Sequence, residues 1–322
     1  MRRRLLPVTT LLGLALITSG CGADDGANVT QPGATGTASA GTGSGGSAAS
    51  GLGDRSLAGT TDNPLVLTAV TEYKAYAIQQ IDDGIRLTTV FTDAVRAGDL
   101  GAAQAAYAPS RVPWERIEPL AGLVEEIDGA VDARVDDFAS VDDPEFTGWH
   151  RLEYLLFAQK TTEGGAPFAD QLDADLQTLK TEFATLEVPP VAVPVGAAEL
   201  IEEVSSGKIT GEEDRYSKTD LYDFNANLEG SQAAIERLAP ALREADPALL
   251  TRIETGFADL QTTLAPLRDG DGWKPYCLEN DPYPSPRCPG VTVPQSTVDT
   301  LTAQLASLSE NVALTAGVLK LR

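Results

Sequence analysis

The sequence predicts an all-α protein of up-and-down helices packed as two bundles in a bilobed body, and three observations carry that reading. Apolar residues recur at three- and four-residue spacing over most of the chain after residue 63. No stretch keeps the strict apolar/polar alternation of a half-buried strand. Glycine, proline and aspartate gather at the ends of the periodic stretches, where helices start and stop.

The elements follow in order. Pro64 to Ala97 forms a long first helix that ends near Gly98. Leu100 to Tyr107 reads as a short helix broken at Pro109, and Pro113 then opens the helix that carries Glu115 and Glu118, because proline suits a first turn. Beyond Gly129, the acids Asp132, Asp136 and Asp137 close a helix or line a loop. Asp143 is the candidate N-cap of the helix through His150. Phe168 to Leu186 is helical until Pro189-Pro190 interrupts, and Ala197 to Ser206 is the next helix. A polar, glycine-punctuated segment from Gly207 to Ser217 leads into two long amphipathic helices, Thr219–Leu242 and Pro247–Leu267, which turn at Asp246. A proline-rich loop and a last helix, Ser296–Leu319, complete the chain.

The amino-terminal end reads as a processing signal. Arg2, Arg3 and Arg4 precede an apolar stretch from Leu5 to Ile17 and the lipobox-like Thr18-Ser19-Gly20-Cys21. Residues 1–20 are therefore expected to be a lipoprotein signal peptide and Cys21 the lipidated residue, which places the folded part outside the cytoplasm, anchored to the cell membrane. Residues 21–62, rich in Gly, Ala, Ser and Thr, cannot bury a core and are expected to form a flexible tether. Residues 63–322 are the expected folded domain. Of the three cysteines, Cys21 goes to lipid, leaving Cys277 and Cys288 for a disulfide in an oxidising compartment. The formal net charge of −23 argues against nucleic acid as a partner and suits solubility or cation collection.

The stretch from Gly148 to Phe157 holds the only histidine among 322 residues. Trp149, Leu152, Tyr154, Leu155, Leu156 and Phe157 crowd one broad side of a helix, Arg151 points away, and His150 and Glu153 lie next to each other on or beside the apolar arc. An imidazole and a carboxylate turned toward a core need a partner: each other, another side chain or a metal ion. Trp114-Glu115-Arg116-Ile117-Glu118 repeats the layout of Trp149-His150-Arg151-Leu152-Glu153. Matched ligand pairs on two helices are how carboxylate-rich metal sites are built inside bundles. Trp114 and Trp149 read as core aromatics beside such a site, Arg111 and Arg116 as ion-pair partners steadying it, and Glu72 on the first helix as another acid whose reach to the cluster spacing alone does not fix.

With those residues in view, the chain from about Leu65 to Arg322 resembles the EfeO branch of the imelysin (M75 peptidase-like) family. The resemblance rests on Tyr107–Pro119, on Phe146–Glu153 with its G-x-H-x-x-E pattern, and on Ile209–Asn227. It implies a bilobed helical protein that binds iron, ferrous or ferric, for an uptake system. The implied partners are an EfeU-like iron permease and an EfeB-like haem peroxidase. The implied ligands are His150 and Glu153 first, Glu115 second, and Glu118, Asp132 and Glu213 as further acids. Lys218 stands where relatives often have histidine, and a cation there would weaken a metal held by that loop. Carboxylates with one imidazole favour iron or manganese over copper(I), and zinc accepts the same donors. A peptidase is disfavoured by the single histidine and the absence of an H-E-x-x-H pair. Other readings are a calcium-bridged binder of an acidic polymer, or an anchored scaffold in which His150–Glu153 is only a buried pair.

Overall fold

The computed structural model describes residues 60–321. The expected leader, Cys21 and the tether as far as residue 59 lie outside the described residues.

Helix α1 (Pro64–Arg96) starts where Asn63 accepts the Leu65 N–H at 3.0 Å. One buried stripe, including Val66, Ala69, Tyr73, Ala77 and Ile81, runs along it at helical spacing. Asp99 caps α2 (Leu100–Glu115) by accepting the Ala102 N–H at 3.0 Å. The expected break at Pro109 does not occur, because α2 continues through both Pro109 and Pro113. Each proline removes one helical hydrogen bond, but Pro113 is buried against Gly84 of α1, the exposed Pro109 lies between the buried Ala108 and Ser110, and neighbouring hydroxyls serve carbonyls of the same turns. Ser110 Oγ donates to the Tyr107 carbonyl at 2.6 Å, and Thr88 Oγ1 to that of Ser110 at 3.5 Å. Glu118 consequently leaves α2 and opens a 3₁₀ segment, Glu118–Leu123.

Short helices α3 (Glu125–Val131) and α4 (Gly148–Glu153) follow. The residue before α4 is Thr147; Asp143 instead closes a turn, accepting N–H groups of Glu145 and Ala139 at 3.0 and 3.3 Å. Helix α5 (Ala166–Thr185) returns along α1. Helix α6 (Ala192–Ser206) begins earlier than its apolar spacing suggests, since Pro194 is tolerated in a first turn. Then come α7 (Asp220–Ala245), α8 (Pro247–Leu264) and α9 (Gln295–Val318). Between α8 and α9 lie two-residue strands not expected from the sequence, β1 (Arg268–Asp269) and β2 (Gly272–Trp273), joined through Gly270 at φ +58°. A two-residue loop that opens on a positive-φ glycine is a favoured hairpin turn. Cys277 and Cys288 form the expected disulfide.

The all-α architecture is thus observed as two groups of helices. Helices α1, α2 and α5 pack together with α7, and α6, α8 and α9 pack on the other side of α7. Helix α7 belongs to both, and every residue from Asp223 to Leu228 is buried, where a one-faced amphipathic helix would expose half of them. Among the described residues no helix is long and apolar enough to cross a membrane.

At Gly230 the backbone of α7 touches the Arg116 carbonyl, where a Cβ would overlap it, and Tyr73 donates to the Gly230 carbonyl at 3.2 Å. Gly230→Ala should therefore destabilise the fold by about 1–3 kcal/mol in denaturant melts, as overpacking does. Helix propensity alone favours alanine by up to about 1 kcal/mol, so the sign of the change separates packing from propensity.

Candidate metal centre

Two backbone junctions bring the polar side chains together. Gly148 opens α4 at φ +74°, with the Val131 carbonyl packed where a side chain would begin. Only glycine meets both demands. Thr147 Oγ1 ties the same junction by donating to the Ala130 carbonyl at 2.8 Å. The end of α3 therefore abuts the start of α4, and Asp132 comes to face His150. The second junction is Glu153, whose Oε1 accepts the backbone N–H groups of Tyr216 and Ser217 at 2.9 and 2.7 Å. The segment carrying Glu213 and Asp214 is thereby hung from α4. Directly after Glu153 the helix widens into a π turn, Tyr154–Ala158, an irregularity frequent at functional sites.

His150 is buried at the centre of this arrangement. Its Nδ1 lies 3.4 Å from Glu153 Oε2, and its Nε2 lies 3.5 Å from Asp132 Oδ1 and 3.6 Å from Glu213 Oε1. Nε2 has no hydrogen-bond partner. Burial and Arg111 push the imidazole pKa down, but Asp132, Glu153 and Glu213 outweigh them and hold it well above its ordinary value.

Two buried cations knit the carboxylates. The Arg111 guanidinium pairs with Glu115 and Asp132, with Glu213 at 2.8 Å and with Asp223 at 3.4 Å. Lys208 Nζ reaches Glu118 at 2.9 Å, Glu115 at 3.1 Å and Glu213 at 3.5 Å. Arg134 adds a 2.5 Å contact to Glu213. Neutral donors complete the lattice: Trp114 Nε1 to Asp132 at 2.9 Å, Tyr107 hydroxyl to Asp214 at 2.8 Å, and Asn227 Nδ2 to both Glu115 and Glu118 at 2.8 Å. Burial would raise the Asp132 carboxyl, but Arg111 and His150 hold it well below the usual range. Glu213 is likewise lowered against its burial, by Lys208, Arg134, His150 and Arg111. Glu118 and Asp223 go the other way: burial, reinforced by neighbouring carboxylates, raises both well above the usual range.

Three sets of side chains bring ligand atoms within 4.8 Å of one another: Asp132–His150–Glu213, His150–Glu153–Asp214 and Glu115–Glu213–Asp223. The first contains the unpartnered Nε2; the second uses the Nδ1 side already occupied by Glu153; the third surrounds Arg111. Only the first joins an Nε2 without a hydrogen-bond partner to two oxygens of depressed pKa, which becomes the donor set a hard or borderline cation takes once Nε2 gives up its proton. A cavity of about 310 Å³ adjoins it, with Asp132 and Glu213 on its wall.

Of the residues singled out from sequence, Glu115, Asp132, His150, Glu153 and Glu213 converge. Glu118 sits one step away on Lys208 and Asn227 and belongs to none of the three sets. Arg116 does not steady the cluster; it turns to Glu229 at 2.7 Å. Glu72 is exposed on the outer face of α1 and does not reach it. Lys218 is buried but answered by Asp281 at 2.7 Å, so its charge is compensated within the disulfide loop. Trp114 and Trp149 are core aromatics, their ring centroids 6.3 Å apart. Sequence reasoning missed Lys208, Asp214, Asp223 and Asn227. A signal existed for the last two: Asp220, Asp223 and Asn227 share one face of α7 at i, i+3 and i+7.

The imelysin family model matches residues 69–310. Over 209 residues the chain is 48% identical to the "Iron uptake system component EfeO" of Escherichia coli K12, an alignment spanning 65% of this chain and 56% of the relative. The same figures hold for the proteins of that name in Escherichia coli O157:H7 and Shigella flexneri. The chain thus spans about half the length of the curated relatives it matches.

Removing one partner from a buried ionic network leaves the others uncompensated, so Arg111→Met should cost on the order of 3–5 kcal/mol near neutral pH. The wild-type carboxyls of Asp132 and Glu213 have depressed pKa values, and their contribution is lost only when the pH falls through those low values. In the variant the same carboxyls take up protons at higher pH, which relieves it first. The stability difference, followed by chemical denaturation, should narrow as the pH falls from about 8 toward about 4.

Proposed function

The chain belongs to the imelysin family, and on that premise we propose that it is an extracytoplasmic iron-binding protein. In this reading it takes up iron at the Asp132–His150–Glu213 set and passes it to a membrane iron permease, with a haem peroxidase-like partner beside it. The observation that carries the proposal is the unpartnered, buried Nε2 of the chain's only histidine, facing two carboxylates. The name of the relatives, an iron uptake system component, supports the choice of cargo.

Each residue has a part. His150 Nε2, Asp132 and Glu213 bind the ion. Glu153 fixes the imidazole through Nδ1 and holds the 211–219 segment through the two backbone N–H groups, as outer-shell carboxylates do in metal sites. Glu115 and Glu118 act through Arg111 and Lys208, whose positions set the charge the ion meets. Residues 63–322 are the folded binding domain, and lipid on Cys21 holds it at the membrane. The protein is not an enzyme in this reading. Ser110 Oγ is engaged with the Tyr107 carbonyl and Trp149, and Ser217 Oγ with Thr219, which supplies no activated nucleophile for His150 to serve.

Calorimetric titration of the protein with ferrous iron, ferric nitrilotriacetate, manganese, zinc and calcium tests the assignment. Wild type should bind iron saturably. His150→Ala should abolish that binding, and Glu153→Gln should weaken it roughly 10–100-fold while the protein still melts cooperatively. Because His150 carries a proton in the ion-free protein, binding must release it, and the affinity should rise with pH. A wild-type protein that takes up no iron overturns the proposal.

A further inference from the structure

Another cavity, of about 170 Å³, lies between α2, the start of α7, the end of the β1–β2 hairpin and the disulfide loop. Three basic side chains, Lys218, Lys274 and Arg287, line it, and no acidic one does. The chain carries 47 acids against 24 lysines and arginines, so a wall of the rarer sign alone runs against its composition. Such a wall favours a negatively charged occupant.

Two of the three cations are free to meet one. Lys218 is already paired with Asp281 at 2.7 Å. Lys274 Nζ donates to the Pro266 carbonyl at 2.8 Å, which leaves it two further N–H groups. The Arg287 guanidinium lies 5.1 Å from the Phe157 ring centroid, and neither it nor Lys274 pairs with a carboxylate among the described residues. A guanidinium with its fork free is the group that takes a carboxylate through two parallel hydrogen bonds. The Tyr222 hydroxyl rests against Gly272, where a Cβ would overlap it, and it has no hydrogen-bond partner among the described residues. The remaining wall is largely carbon, from Pro109, Pro275 and Trp273. Trp273 is held in place by Arg268, whose guanidinium lies 3.8 Å from its ring centroid. A few polar groups on an apolar wall are the composition of a small-molecule site.

We propose that this cavity binds a small organic carboxylate. Arg287 and Lys274 take the carboxylate oxygens, the Tyr222 hydroxyl donates to them, and Trp273, Pro109 and Pro275 cover the carbon body. At about 30 Å³ per water the space holds about five waters, which limits the ligand to a short-chain acid of the size of succinate. An inorganic oxyanion would leave the apolar wall unused. No residue of this wall belongs to the three sets of possible metal ligands, so the proposal stands whatever those sets bind.

The experiment uses the full chain, stripped of metal with chelator so that the acid meets no bound ion. Calorimetric titration with succinate should show one saturable site in wild type. The affinity should fall at least tenfold in Arg287→Gln and in Lys274→Gln and stay within about twofold in His150→Ala. Succinamide, which keeps the shape without the charge, and phosphate, which keeps the charge without the carbon body, should each bind at least tenfold more weakly than succinate. Nuclear magnetic resonance locates the ligand without a variant at either cation. The indole N–H signal of Trp273, identified by its loss in Trp273→Phe, should shift as succinate is added to wild type, while those of Trp114 and Trp149 stay. No saturable succinate binding up to about 10 mM, an affinity unchanged in both Arg287→Gln and Lys274→Gln, or a Trp273 signal that does not move overturns the proposal. Phosphate bound as tightly as succinate overturns the choice of an organic acid.

Discussion

The structure depends on one constraint: charge that is buried must be compensated. Arg111 and Lys208 lie fully inside the protein among Glu115, Glu118, Glu213, Asp214 and Asp223. These side chains come from α2, the 3₁₀ turn after it, the 208–219 segment and α7, which are the elements that join the two helical groups. Displacing any one of them strands an opposite charge in a dry interior, at a cost of several kcal/mol. The apolar core around the cluster supplies the bulk of the stability. The charges specify which helices meet, and in what register.

The disulfide loop extends that constraint outward. Asp281 answers Lys218, Ser285 Oγ donates to the Tyr216 carbonyl at 3.0 Å, and the Tyr276 N–H bonds to the Lys218 carbonyl at 2.9 Å. From the other side Glu153 holds the Tyr216 and Ser217 N–H groups, and Arg215 pairs with Asp136 near Asp132. The 208–219 segment, with little apolar content, is thus fixed on three sides. Glu213 keeps its place because its neighbours in sequence are anchored, although it contributes little packing of its own.

Legibility in the sequence follows from how local each determinant is. The helices were legible because periodicity is local, and His150 with Glu153 because their three-residue spacing sits on a strongly apolar arc. Pro109 misled for the complementary reason: the local rule against proline was overridden by burial of the residues around it, Tyr107, Ala108, Ser110 and Arg111, although Pro109 itself is exposed. Arg111 and Arg116 looked alike, yet they end on different sides, because five residues at 100° each bring Arg116 to Glu229 on the far face of α7. Lys208 was illegible altogether. A lone lysine before a short turn ordinarily points to water, and only the long-range meeting of that turn with Glu115 and Glu118 makes it a core residue.

The balance of charge is compatible with the proposed capture and release of an ion. Seven carboxylates, those of Glu115, Glu118, Asp132, Glu153, Glu213, Asp214 and Asp223, face Arg111, Lys208, Arg134 and the imidazolium of His150. The acids exceed the cations even with His150 protonated. Burial holds Glu118 and Asp223 at raised pKa, so part of the surplus is carried as protons. An arriving metal ion replaces protons rather than creating new uncompensated charge, and its affinity is bounded by the work of expelling them. A site of carboxylates alone, all ionised, would hold the ion more tightly and release it less readily. Under the proposed role, arginine, lysine and protons inside the cluster would keep a bound cation exchangeable.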